Sequence, residues 1–239
     1  MAVMEPEGDA GEVGPATGHD RHYPTISQRK PGSTVALLKR ARDLRAIYLG
    51  RRLDPAFREE IMLAVAGANS CRQCSFAHRQ WALAEGLPEA ELAALEGLDA
   101  ESFDARTWAA IAWAQAYARS DLAEVPDAVD VNFQEHFSAQ EQADIRLVAR
   151  TMFWMNEASN GVRAGLKRAR HTPVPGSTVP RELEALLLYA VGAPLVLLLL
   201  SVKQRRNPIS LIREIRPFFS VFDSRGPTTI SGPGERFGG

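Results

Sequence analysis

Residues 59–81 read EEIMLAVAGANSCRQCSFAHRQW. An apolar helical run is interrupted at GANS, and a second helical segment then opens on a C-x-x-C. Cys71 and Cys74 are the only two cysteines in 239 residues, and His78 follows four positions after the second. If the run from Cys71 to Glu85 is helical, positions 71, 74 and 78 fall at i, i+3 and i+7, which puts both sulfurs and the imidazole on one face. Ser70 is suited to cap this helix, with Cys71 as its first residue.

The unpaired amides and dipole of a helix N-terminus stabilise an anion, and the thiolate is the nucleophilic form of cysteine. Two cysteines three apart can also close a disulfide within one turn, so the pair can cycle between dithiol and disulfide while moving two electrons. Two alternatives stand beside this redox reading. Cysteines also serve as small core residues. A structural zinc needs four ligands, and no second C-x-x-C or H-x-x-x-H supplies a fourth beside Cys71, Cys74 and His78, so no metal is expected.

A Glu, then twelve positions later C-x-x-C, then x-x-x-H, resembles the alkylhydroperoxidase-D-like branch of the carboxymuconolactone decarboxylase superfamily, with Glu59, Cys71, Cys74 and His78 in the matching places. The resemblance extends more loosely from about residue 35 to 170 and includes FSAQEQADIRLVARTMFWMNEASN at 137–160. It implies an all-α fold, a thiol peroxidase or disulfide reductase activity, no cofactor, and assembly into a homo-oligomer. In such proteins the second cysteine, here Cys74, attacks the peroxide, and the first, here Cys71, resolves it as a disulfide. A Glu–His pair, here Glu59 and His78, relays the proton, and a thiol donor re-reduces the pair. Helix-terminus electrostatics alone favour Cys71 as the thiolate and proximity to His78 favours Cys74. Only the resemblance selects Glu59 over Glu60. One departure is Gln73, which stands between the cysteines where the best-described peroxidases carry a further His. Glutamine hydrogen-bonds but carries no proton at neutral pH, which leaves disulfide reduction open. A cofactor-free decarboxylase or isomerase using His78 and Glu59 as acid and base, and a non-catalytic redox-sensing module, are the other function classes.

The length permits one sizeable domain, and 45% apolar residues are enough to bury a core. A net charge of −1 gives no basic surface for nucleic acid. Two cysteines without an N-terminal apolar segment fit a reducing compartment, so a cytoplasmic catalytic part is expected.

Residues 1–33 are rich in Gly, Pro and acidic residues and read as a disordered arm, in which His19 and His22 are solvated. The helical domain is expected over 34–172. Val35 to Gly50 reads as an amphipathic helix, and Asp54-Pro55 opens a second, which carries Glu59. Gly86 stops the cysteine helix, PEAELAALEG gives a short one, and Asp104 caps a third in which Trp108, Ile111, Ala112, Gln115 and Ala116 line one side. Ser138 and Glu141 form a capping box for the helix through Ile145, Val148, Met152 and Met155. The Met, Phe and Trp residues at 152–155 read as core, or as the lining of an apolar pocket beside the thiols. After a hinge at 173–180, a hydrophobic segment fills 181–218. Within it, residues 185–202 carry no charge. The segment is basic on both flanks, so it reads as a membrane-associated hairpin bent at Gly192-Ala193-Pro194, as an interfacial helix, or as a helix buried in an oligomer. Residues 219–239 read as a disordered tail.

Overall fold

The computed structural model of the protein describes residues 34–220, with side chains through residue 214. The arm expected at 1–33, with His19 and His22, and residues 221–239 of the expected tail lie outside the described residues.

Among the described residues there are ten α-helices, one 3-10 turn and no strand, so the fold is all-α. Chain order is α1 (Thr34–Leu38), α2 (Ala41–Tyr48), α3 (Pro55–Ala68), α4 (Arg72–Glu85), α5 (Glu89–Gly97), the 3-10 turn Ala100–Ser102, and α6 (Ala105–Arg119). Then come α7 (Asp127–His136), α8 (Ala139–Ala169), α9 (Val179–Gln204) and α10 (Pro208–Ser220).

The boundaries follow local chemistry where the cap is local. Asp54 accepts a hydrogen bond from the Phe57 amide, and Pro55 takes the first helical position, where a missing N–H costs nothing. Asp104 accepts from the Arg106 and Thr107 amides. Ser138 and Glu141 make a reciprocal capping box. Gly86 ends α4 at φ +100°, a conformation open to glycine because it has no Cβ.

Three expectations are corrected. The helix read through 35–50 breaks into α1 and α2 at a turn over Lys39 and Arg40, where the Arg40 amide bonds the Leu37 carbonyl at 2.9 Å and the Arg40 carbonyl accepts the Leu44 amide to open α2. The hairpin at 192–194 does not form: α9 runs unbroken through Pro194, which removes one amide donor without ending the helix. The tail begins later than expected, since α10 continues to Ser220.

Helix α3 is the centre of the domain, buried from Arg58 to Ala66 and packed on α4, α6 and α8. Helix α6 is buried over more than the one side expected, with Trp113, Ala114 and Ala118 inside beside Ile111. Trp113 stacks on Phe133 of α7 at 4.6 Å and on Tyr117 at 4.7 Å, and its Nε1 donates to Asp130 at 2.8 Å. Side chains of this kind, fully removed from water, stabilise the fold by about 1.5–3 kcal/mol each.

Helix α9 lies along α8. Gly161 of α8 makes this possible, because a Cβ there would stand 2.6 Å from the Ala185 Cβ. At one end Arg168 grips Glu182 at 2.7 and 2.9 Å, and at the other Gln204 donates to the Gln80 carbonyl of α4 at 2.8 Å, beside a Lys203–Glu85 ion pair. By length and composition α9 could cross a membrane. Both of its ends are nevertheless held by charged or polar partners on the same helical domain. Its other side carries an exposed apolar stripe of Leu183, Leu187, Val191, Leu195, Leu198 and Val202.

Candidate active site

Helices α3 and α4 are joined by a tight turn that sets the geometry of the site. Ser70 adopts φ +52° and finishes the turn, so the expected cap is corrected: Cys71 is the N-cap, and its carbonyl accepts the Ser75 amide at 2.8 Å. A residue in the left-handed region cannot take the extended backbone an N-cap needs. Arg72, Gln73 and Cys74 are then the first three helical residues, so both cysteines lie in the field of the same helix terminus. Cys71 and Cys74 are joined as a disulfide, with Cα atoms 5.3 Å apart. The residues are 2% and 9% exposed, so Cys74 is the less buried of the two.

One turn beyond Cys74, His78 is buried and places Nδ1 2.7 Å from Oε2 of Glu59 on α3. The other carboxylate oxygen, Oε1, accepts from Arg58 Nε at 3.2 Å and Nη2 at 2.9 Å. Burial pushes the Glu59 carboxyl up, but the hydrogen bond and charge of His78, with the Arg58 guanidinium, outweigh it and hold the carboxyl below its ordinary value. Glu59 is therefore an ionised acceptor. That fixes the proton of His78 on Nδ1 and leaves Nε2 as the end of the ring that can take or return another.

Glu60 has the opposite environment. It faces Glu91, and burial first, then the hydrogen bond and charge of Glu91 and the charges of Asp104 and Asp54, push its carboxyl up to about 9. The folded chain thus binds this proton more tightly than the unfolded chain. The contribution is fully present below the ordinary glutamate value of 4.5 and is lost as pH rises towards about 9. Glu60→Gln is expected to flatten that loss, whose slope for one proton is at most about 1.4 kcal/mol per pH unit. Urea unfolding of both proteins between pH 5 and 9 checks it, and parallel profiles would contradict it.

Four residues at or near the site are not singled out by the sequence analysis: Arg58, Tyr48, Asn156 and Ser159. Arg58 clamps Glu59 and lies 4.7 Å over the Tyr48 ring. Burial, and then the charge of Glu59, push the Tyr48 phenol up and keep it neutral. On α8, the Ser159 hydroxyl donates to Gln73 Oε1 at 2.5 Å, and Asn156 Nδ2 donates to the Val65 carbonyl at 3.4 Å. A signal for the α8 pair did exist: Asn156 and Ser159 continue the stripe of Ile145, Val148 and Met152, so they are polar residues at positions where the period calls for apolar ones. Met152 and Phe153 are core, while Trp154 and Met155 are half-buried. No group of His, Cys, Asp or Glu able to hold a metal ion occurs among the described residues.

The model of the carboxymuconolactone decarboxylase family matches residues 36–116, from α1 into α6, and so includes Glu59, Cys71, Cys74 and His78. No curated protein and no solved structure matches the chain.

Proposed function

We propose that the chain, which matches the model of the carboxymuconolactone decarboxylase family over residues 36–116, is a thiol-dependent oxidoreductase that reduces a hydroperoxide or a disulfide through Cys71 and Cys74. The observation that carries this reading is the Cys71–Cys74 disulfide opening the same helix whose next turn presents His78, held by Glu59.

The chemistry starts from the dithiol. His78 Nε2 takes the Cys74 proton, and the thiolate attacks the outer oxygen of the hydroperoxide. The O–O bond breaks, the alkoxide recovers the proton from His78 and leaves as an alcohol, and Cys74 becomes a sulfenic acid. The Cys71 thiol then gives up its proton and its thiolate attacks the Cys74 sulfur, the S–O bond breaks, the leaving hydroxide takes that proton as water, and the disulfide closes. An external dithiol returns two electrons by exchange. Glu59 stays ionised throughout and balances the imidazolium that forms. Gln73 is engaged by Ser159 and supplies no further relay, so proton traffic rests on His78.

A second reading shares these residues. The Arg58–Glu59–His78 arrangement is a buried acid–base group whatever the sulfurs do, and it would suit proton transfer on a small carbonyl or lactone substrate. The two readings part in one assay. Steady-state consumption of cumene hydroperoxide with dithiothreitol as electron source is expected. A fully reduced, folded protein that consumes no hydroperoxide and exchanges with no disulfide would leave the acid–base reading.

A further inference from the structure

The two faces of α9 differ in chemistry. Ala185, Leu200 and Ser201 are buried on the domain, whereas Leu183, Leu187, Val191, Leu195, Leu198 and Val202 are 54–75% exposed. Steps of three or four residues keep the six in one row, about 28 Å long at 1.5 Å per residue. An apolar surface of this extent marks a place that something else covers. Its make-up fits acyl chains better than a protein. The row holds only Leu and Val, which are under-represented among the residues that carry protein–protein binding, and it lacks the Trp, Tyr and Arg that dominate there. None of the six side chains can answer the hydrogen bonds a protein partner brings, about one per 100–200 Å² of interface.

Charge at the end of the row points the same way. Lys203 and Arg206 pair with Glu85 and Glu214. Arg205, on the C-cap of α9, and Arg213, on α10, are both exposed and make no ion pair among the described residues. Helix α10 packs against α9 and exposes two further apolar residues, Ile209 and Ile212. At the other end the one exposed acid of α9, Glu184, accepts from the Thr34 hydroxyl at 3.3 Å. A second copy docked through this row would bring the same surplus of cations, whereas anionic lipid headgroups bring the complement. As folded, the helix does not cross a bilayer, because Arg168 holds Glu182 at one end and Gln80 holds Gln204 at the other, both on the same domain.

We propose that α9 docks the protein on an anionic membrane surface, lying flat at the boundary of headgroups and acyl chains, with the Leu183–Val202 row among the chains and Arg205 and Arg213 at the headgroup phosphates. This docking does not rest on the chemistry of the cysteines. The test is flotation of the full chain through a density gradient with vesicles of equal parts phosphatidylcholine and phosphatidylglycerol, and with vesicles of phosphatidylcholine alone. Binding to the mixed vesicles is expected to be at least about tenfold tighter, with the difference lost at high salt. Leu187→Asp/Val191→Asp, at positions already in water, is expected to keep its helix content and to lose flotation on both kinds of vesicle. Arg205→Gln/Arg213→Gln is expected to lose only the preference for the anionic ones. Flotation of either folded variant that matches wild type overturns the proposal. So does a wild-type chain that stays at the bottom of the gradient, and if it does so as an oligomer that Leu187→Asp/Val191→Asp dissociates, a second copy is the occupant instead.

Discussion

Cys74→Ser is expected to abolish hydroperoxide turnover, by at least about a thousandfold, while leaving a folded helical protein. A serine hydroxyl in the same place lacks both the low thiol pKa and the intrinsic nucleophilicity of sulfur. The cost to the fold is small, because Cys74 stands at the edge of the core and serine differs from it by one atom. Cys71→Ser is expected to behave differently. Its Cys74 still attacks, but nothing closes the ring, so one equivalent of hydroperoxide is consumed and a sulfenic acid remains, trapped by dimedone as a mass adduct on Cys74. Rates of hydroperoxide loss and intact mass together check both outcomes. An exchange of phenotypes, with the adduct forming on Cys71 in Cys74→Ser, would reverse the assignment of the two sulfurs. Retained steady-state turnover in Cys74→Ser would remove the sulfurs from the chemistry and favour Glu59 and His78 acting alone.

Glu59→Gln is expected to have the second largest effect, and it acts on rate and on stability at once. Glutamine keeps a carbonyl for His78 Nδ1 but loses the charge that balances the imidazolium, so kcat at neutral pH falls by about 10²–10⁴, the range of a general acid–base contribution. The same change leaves the buried Arg58 guanidinium with only the more distant Glu85 carboxylate, at 3.9 Å, and breaking a buried pair costs up to about 3–5 kcal/mol, which Glu85 reduces. The pH dependence has a definite sign. The Glu59 carboxyl lies below its ordinary value in the folded chain, so its contribution is present above about pH 4.5 and is lost as pH falls through the depressed value. Glu59→Gln therefore loses stability at pH 7 and shows less of the acid-side decline. Denaturant midpoints at pH 7 and pH 4, with kcat measured on the same preparations, check the pair of effects. Equal wild-type and variant midpoints at pH 7 would contradict the clamp, and equal kcat values would contradict the role of the carboxylate.

Much of this arrangement was legible in the sequence because it is local. The caps at Asp54, Asp104 and Ser138 each satisfy amides within three residues, so residue type and spacing suffice. Cys74 and His78 share a helix, and four residues in a helix is a fixed spacing. Ser70 misled because its side chain suits a cap, whereas the turn out of α3 required a left-handed residue at that position, a demand of backbone geometry. Arg58 was hidden by its setting. Nothing local marks it, and only the packing of α3 between α4, α6 and α8 makes it a buried clamp. Helix α7 passed unread, because the Phe133 that anchors it is inside only through stacking on Trp113 and Phe137. The long apolar helix was legible as apolar and no further. Gly161 and Glu182 decide that it lies on α8, and each means little until the other helix is present.

The claim that Cys71 and Cys74 form a working two-electron couple is tested most directly by adding one equivalent of cumene hydroperoxide to the fully reduced chain and determining mass and disulfide linkage. The expected result is the loss of two hydrogens from the intact chain and a single peptide linkage between Cys71 and Cys74, reversed by dithiothreitol. An unchanged mass with the hydroperoxide still present, in a protein whose thiols are accessible to alkylation, would contradict it.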